Sequence, residues 1–586
     1  MKRRIWIALA FAAGFAAAVW AVSEIDSQHQ QTSSLMPDGA LLYLEAKDFR
    51  GLLNDWSQSE EKRTWLKGDD YAAFSRSRLF ERLSQAQDEF STTANIPADD
   101  SLLSSIAGNQ SALAVYDIGN LELVYVTRMD EHAVEATPLW QVRGKFEQRT
   151  EGTAQFYVRH DTQSNRTAGF AARDGWLVLG TREDLVAGVL DRIQAAHAHS
   201  ISEEDWFADA LKLPTSPAFD LRMVLNLEKI VPSPYFRSYW VQQNISEMKQ
   251  YRAALCDLHR SKDLYREDRY LLRKTGAAAT ATGDVQTLAA LAPTDAVWHA
   301  ATASPGSGRV LAALRDNFLD LSPAQAHAMS AAPAAAPADN AGNAAMLEER
   351  IDVAPVIAQQ RDPYRSLRAL LDGAQPAAML EIDTTRAEQN DMFVNLEPAM
   401  VIETQQTWDE TAVKIAISSA LRPGLTASDL GLEWTKNTSP SGDYSGLDGR
   451  VPLFLATREK RLFVSTDASL MEAMLARQQK AAQARTDGVT YASVFLHSPR
   501  EQKNFRKLAD RLDHAAHSTA TNGQADASGG DGADGQAPPF FSGNVASLSR
   551  MFRNVAMESI EEKDQGAQIL QTVVYQWQRV STADKR

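Results

Sequence analysis

Ser59-Glu60-Glu61-Lys62 has the Ser-x-x-Lys spacing, which sets a lysine amine one helical turn from a serine hydroxyl, the arrangement of a nucleophile with its base. In "WSQSEEKRTW" the two intervening glutamates keep that amine charged, and the Ser-Asp-Asn and Lys-Thr-Gly partners of such chemistry are missing. Ser59 therefore reads as a helix N-cap with Lys62 in solvent. The pair stays as the one nameable candidate for a hydrolase with a non-standard serine site. Histidines offer less. His197/His199 and His514/His517 have metal-compatible spacing but lie in alanine-rich polar stretches without carboxylate or cysteine company. "GGDGADG" near Gly529 is too poor in oxygen ligands for a calcium loop. "GDYSG" at Gly442 has the wrong spacing for a nucleophile elbow and reads as a surface loop. Phosphate-loop, His-Glu-x-x-His and Cys-x-x-Cys patterns do not occur. The sequence thus assigns no catalytic residue, no metal ligand and no cofactor.

A recognition surface is easier to name. "PSPYFRSYWVQQN" places Tyr235, Phe236, Tyr239 and Trp240 on one face of a predicted helix, either packed into a core or presented to a partner or glycan. "LYREDRYLLRK", Leu264 to Lys274, alternates charge around two tyrosines and reads as a solvated face over a half-buried stem. Cys256, the only cysteine, reads as a small apolar filler in a helix-like "MKQYRAALCDLH", so no intramolecular disulfide is available.

These residues must be positioned by elements that the chain writes twice. "AARDGWLVLGTREDLVAGVLDR" (171–192) returns as "ATREKRLFVSTDASLMEAMLAR" (456–477), and Ala171, Arg173, Thr181, Leu185, Leu190 and Arg192 fall without a gap on Ala456, Arg458, Thr466, Leu470, Leu475 and Arg477. Each copy reads as strand, tight turn at Asp174-Gly175 or Glu459-Lys460, strand, then helix capped by Thr181 or Thr466, with Asp184 completing a capping box in the first. "MPDGALLYLEAKDFRGLLNDW" from Met36 matches "APTDAVWHAATASPGSGRVLAAL" from Ala292, with Pro37 on Pro293 and Ala40 on Ala296. "LRMVLNLEKIVPSPYF" and "YASVFLHSPREQKNFRKL" form a weaker third pair, each a strand entering a helix. The expected fold is α+β: two tandem duplicated domains, 33–274 and 288–586, joined by a linker at 275–287. Ala/Pro-rich (about 323–345) and Gly/Ala/Asp-rich (about 515–539) insertions interrupt the second.

Length and charge agree. The 586 residues exceed one ordinary core. The formal net charge is −15, and removing Lys2, Arg3 and Arg4 leaves −18 (−15 less 3) on the remainder, which repels phosphate backbones and argues against nucleic acid. "MKRR" followed by the uncharged run Ile5–Val22 reads as an export signal, with residues 1–22 as a retained anchor or, if cut after Ala21, a signal peptide, and 23–32 as a polar spacer.

The Pro-Asp/Thr-x-Ala strand starts at Pro37 and Pro293, the paired strand and capped helix, and "YREDRYLL" at Tyr265 to Leu272 resemble large exported bacterial proteins whose domains have no assigned activity. That resemblance implies location and shape and transfers no site residue. The resulting expectation is a non-enzymatic scaffold or binding protein tethered by its N-terminal helix to the inner membrane, with its body in the periplasm, or secreted there if the signal is cut. An envelope protein is the expected partner. A cell-envelope hydrolase and an envelope assembly or folding factor are the alternatives.

Overall fold

The computed structural model describes residues 31–59, 78–194, 199–234, 248–261, 264–275, 285–294, 296–319, 362–388, 393–425, 433–447, 452–480, 488–496 and 555–577, with isolated positions at 62, 63, 66, 71, 75, 500, 503 and 504. They combine helices with extensive antiparallel sheet, an α+β architecture. Two compact units are present. The first takes in the described residues of Met1–Gln58, Arg78–Tyr239 and Arg252–Asp257, the second those of Ser59–Ser77, Trp240–Tyr251 and Leu258–Arg586.

In the first unit the strands are β1 (Leu42–Ala46), β2 (Ser111–Asp117), β3 (Glu122–Arg128), β4 (Glu147–Glu151), β5 (Ala154–Asp161), β6 (Arg166–Arg173), β7 (Trp176–Gly180) and β8 (Leu221–Asn226). Their spatial order is β8-β1-β2-β3-β7-β6-β5-β4, antiparallel at every step. Helices α1 (Phe49–Gln58), α2 (Arg78–Ala94) and α3 (Glu183–Gln194) punctuate them. The turn between β6 and β7 is the two residues Asp174 and Gly175, both at positive φ, so that Arg173 faces Trp176 across the hairpin. Strand β7, "WLVLG", is buried along its whole length, and α3 lies against β6 and β7. A Cβ added at Gly180 would meet Val186 Cγ2 at 2.8 Å, so glycine there permits the close approach of the helix.

Past a further strand β9 (Tyr251–Arg260), the second unit carries β10 (Leu264–Arg273), β11 (Trp298–Ala303), β12 (Pro376–Glu388), β13 (Phe393–Thr404), β14 (Trp434–Asn437), β15 (Tyr444–Leu447), β16 (Leu453–Arg458), β17 (Arg461–Ser465), β18 (Val489–Leu496), β19 (Val555–Asp564) and β20 (Gln568–Trp577). Their order is β10-β20-β19-β18-β11-β12-β13-β17-β16-β15-β14, again antiparallel. From β18 to β14 this repeats the first unit's order, with β18 where β8 stands, β11 where β1 stands, and so on to β14 at the place of β4. Helices α4 (Gly306–Leu314), α5 (Arg365–Ala374), α6 (Glu410–Leu425) and α7 (Ala468–Lys480) complete the unit. One sheet face buries Leu380, Ile382, Val401 and Phe463 with Leu470, Met471 and Met474 of α7. The other buries Met379, Met400, Ile402 and Val464 with Val310, Leu371 and Ile417 of α4 to α6. Each such side chain withdrawn from water contributes about 1.5–3 kcal/mol.

Five local expectations are corrected. Cys256 lies on β9, not a helix, because burial alternates residue by residue from Tyr251 to Leu258, the period of a strand. Thr181 does not cap α3: its hydroxyl accepts from the Leu123 amide at 2.9 Å and its own amide donates to Leu123 O at 3.0 Å, tying the end of β7 to β3. Thr466 makes the equivalent tie, its amide donating to Pro398 O at 3.2 Å, while the cap of α7 is Asp467, which accepts from Leu470 N at 2.6 Å. Tyr444-Ser445-Gly446 is no surface loop but part of the buried strand β15, anchored by Tyr444 Oη to Glu472 at 3.0 Å and Ser445 Oγ to Glu410 at 3.0 Å. The segment Leu264–Arg273, placed by sequence at the close of the first domain, pairs with β20 from Leu264↔Gln576 to Leu272↔Gln568 and belongs to the second unit. The apolar run Ile5–Val22, the linker residues 276–284 and both insertions lie outside the described residues. Among those described, no helix is long and apolar enough to cross a membrane.

Candidate ligand-binding site

In the first unit, a short 3₁₀ turn (Ile201–Glu203) leads into the helix Asp205–Leu211, whose Trp206, Phe207 and Ala210 are buried. Beside it β8 ends at Asn226, whose side-chain oxygen accepts from the Lys229 amide at 3.2 Å and starts the one-turn helix Leu227–Ile230. Arg252, at the start of β9, closes the group. Together Glu203, Glu204, Asp205, Trp206, Asn226, Glu228, Lys229 and Arg252 line an open cavity of about 420 Å³.

The polar groups of this cavity divide into engaged and available. Glu204 is engaged, accepting from the Trp206 indole N–H at 2.5 Å and from the Gly39 amide. Arg252 donates to Asp209 Oδ2 at 3.0 Å, and Asp209, bonded also by Lys212, is held below the usual carboxylate range chiefly by that lysine. Glu203 meets the exposed His199 ring at 2.9 Å. Asp205, Glu228 and Lys229 are exposed, and their side chains have no partner among the described residues. Asn226 is 2% exposed, and its side-chain nitrogen likewise has no partner among them. The arrangement offers charge, a buried donor and an aromatic wall, which suits binding.

A second unusual place is β12. Glu381 and Asp383 stand two residues apart and so share a face, with Ala300 and Trp298 as their neighbours on β11. Burial pushes the Asp383 carboxyl up to about 7, with the Glu381 charge adding to it, and burial raises Glu381 too, against the opposing pull of Arg309 at 4.0 Å. On the opposite face of β11, burial and then Arg477 lower His299 to about 4, and its Nδ1 has no partner among the described residues. Sequence reasoning missed this pair, although "LEID" inside an otherwise apolar strand signals it. Among the described residues no group of three or more histidines, cysteines or carboxylates could hold a metal ion.

The candidates named from sequence are not brought together. Ser59 Oγ accepts from the Lys62 backbone amide at 3.0 Å, the bond of an N-cap. Ser59→Ala is accordingly expected to cost about 0.5–2 kcal/mol in urea unfolding. Cys256 is half-buried on β9. Tyr235, Phe236, Tyr239, Trp240, His197, His514, His517 and the Gly529 loop lie outside the described residues.

No family model matches the chain, and no curated protein does. Two solved structures, crystal forms III and I of TP0453, align at 10% and 9% identity with TM-scores of 0.22 and 0.23. The alignments cover 44% and 45% of this chain and 84% and 86% of those chains, a likeness too slight to carry an argument.

Proposed function

We propose that the chain is an exported protein held at the membrane by residues 1–22, that its α+β body arose by duplication of one unit, and that the body binds a small polar ligand. The repeated strand order supports the duplication. So do the matched details: Thr181 and Thr466 tie corresponding strand ends, and Ala40 and Ala296 are both buried just ahead of β1 and β11. Arg192 lies 3.9 Å from Asp38 ahead of β1, while Arg477 donates to Ala290 O at 3.2 Å ahead of β11. The basic start and uncharged run of Met1–Val22 support the tether.

The single observation that carries the binding reading is the cavity around Trp206 and Asn226, where the Asn226 amide and the exposed Asp205, Glu228 and Lys229 side chains converge without partners among the described residues. A thermal-shift panel of small amines, amino-acid amides, carboxylates and sugars on the full chain tests it. A ligand present at 100 times its Kd stabilises by about 2.7 kcal/mol, so at least one compound is expected to raise Tm saturably. A panel that moves nothing contradicts the reading.

A further inference from the structure

We infer that the cavity takes an organic cation: a primary ammonium or guanidinium group on a short chain that also carries a hydrogen-bond acceptor. The inference rests on the binding reading above. Four of the eight lining residues are carboxylates and two are cations. Glu204 is engaged by the indole and the Gly39 amide, and Arg252 by Asp209. What faces an incoming molecule is therefore Asp205, Glu228 and the half-engaged Glu203 against Lys229 alone. An anion entering here meets uncompensated like charge, whereas a cation is drawn in.

The acceptor follows from Asn226. Its oxygen already accepts from the Lys229 amide, while its side-chain N–H groups stand at the cavity wall with no partner among the described residues, so an acceptor on the ligand finds a donor there. A bare diamine leaves that donor unmet; an amino-acid amide or a peptide segment bearing a basic side chain satisfies both requirements. The two sources share one chemistry.

Isothermal titration of the full chain with argininamide, with a blocked Gly-Arg-Gly tripeptide and with N-acetylglutamate separates the cases. One of the two cations is expected to bind saturably at one site, the tighter one naming the source, and N-acetylglutamate is expected not to bind. Asp205→Asn with Glu228→Gln, both exposed and without side-chain partners among the described residues, should weaken the cation at least tenfold while the chain still unfolds in one cooperative transition, each lost first-turn charge costing only about 0.3–1 kcal/mol. Binding of N-acetylglutamate without the cations overturns the cation inference and leaves the binding reading standing. Silence from all three probes overturns the inference, and only silence across the wider thermal-shift panel overturns the reading beneath it. Full cation affinity in the double variant overturns it too, because the site is then elsewhere.

Discussion

Asp257→Ala destabilises the first unit by about 3–5 kcal/mol, because it leaves a guanidinium buried without its counter-charge. Arg222 on β8 donates from Nε and Nη2 to the two carboxylate oxygens of Asp257 at 2.6 and 2.7 Å, and the residues are 9% and 2% exposed. The guanidinium also lies 4.2 Å from the Phe219 ring centroid, so one of its faces is covered as well. Water cannot replace the lost carboxylate. The pair itself is worth much less than its rupture costs, since both charges had to be desolvated to form it. Arg222→Met combined with Asp257→Leu is therefore expected to recover most of the loss. Urea unfolding followed by a probe in the first unit reads both variants. A midpoint for Asp257→Ala equal to that of the parent protein sinks this account of the pair.

Asp383→Asn is expected to make the protein more stable than the parent at pH 8 and to flatten its stability profile. Asp383 titrates near 7 in the fold against an ordinary value of 3.8, so the folded chain holds this proton more tightly than the unfolded chain. Its contribution is then fully present below about 4 and is lost as pH rises through about 7. At about 1.36 kcal/mol per unit the full displacement corresponds to roughly 4 kcal/mol, and partial exposure reduces this to about 2–4 kcal/mol. His299 slopes the other way. Its folded value of about 4 lies below the ordinary 6.5, so its contribution is present above 6.5 and is lost as pH falls through 4. The two effects oppose each other between about 4 and 6.5, and above 6.5 the His299 contribution is complete while that of Asp383 is still being lost. Tm measured from pH 5 to 8 on parent and variant checks this, and parallel curves contradict the burial of Asp383.

Much of the architecture was legible where periodicity and turn chemistry agree. Asp174-Gly175 between two apolar runs names a hairpin, and "WLVLG" reads as one of its strands. Strand β9 was misread because "YRAALCDLH" contains residues that suit a helix equally well, and tertiary pairing overrides such weak preferences. Thr181 and Thr466 show a different failure. A threonine ahead of a helical pattern suggests a cap, but here a neighbouring strand end claims the residue first. The cavity could not be found by motif search at all. Its walls come from Glu203, Asn226 and Arg252, which only the folded sheet draws together, and no local spacing encodes that meeting.

Hydrogen–deuterium exchange on the full chain, with and without the compound that gives the largest thermal shift, tests the binding claim most directly. Protection confined to Ile201–Leu211, to β8 with Leu227–Ile230 and to the opening residues of β9 is the predicted result, because these segments form the walls of the cavity. Protection that leaves those segments unchanged while strands of the second unit slow down places the ligand elsewhere and contradicts the account.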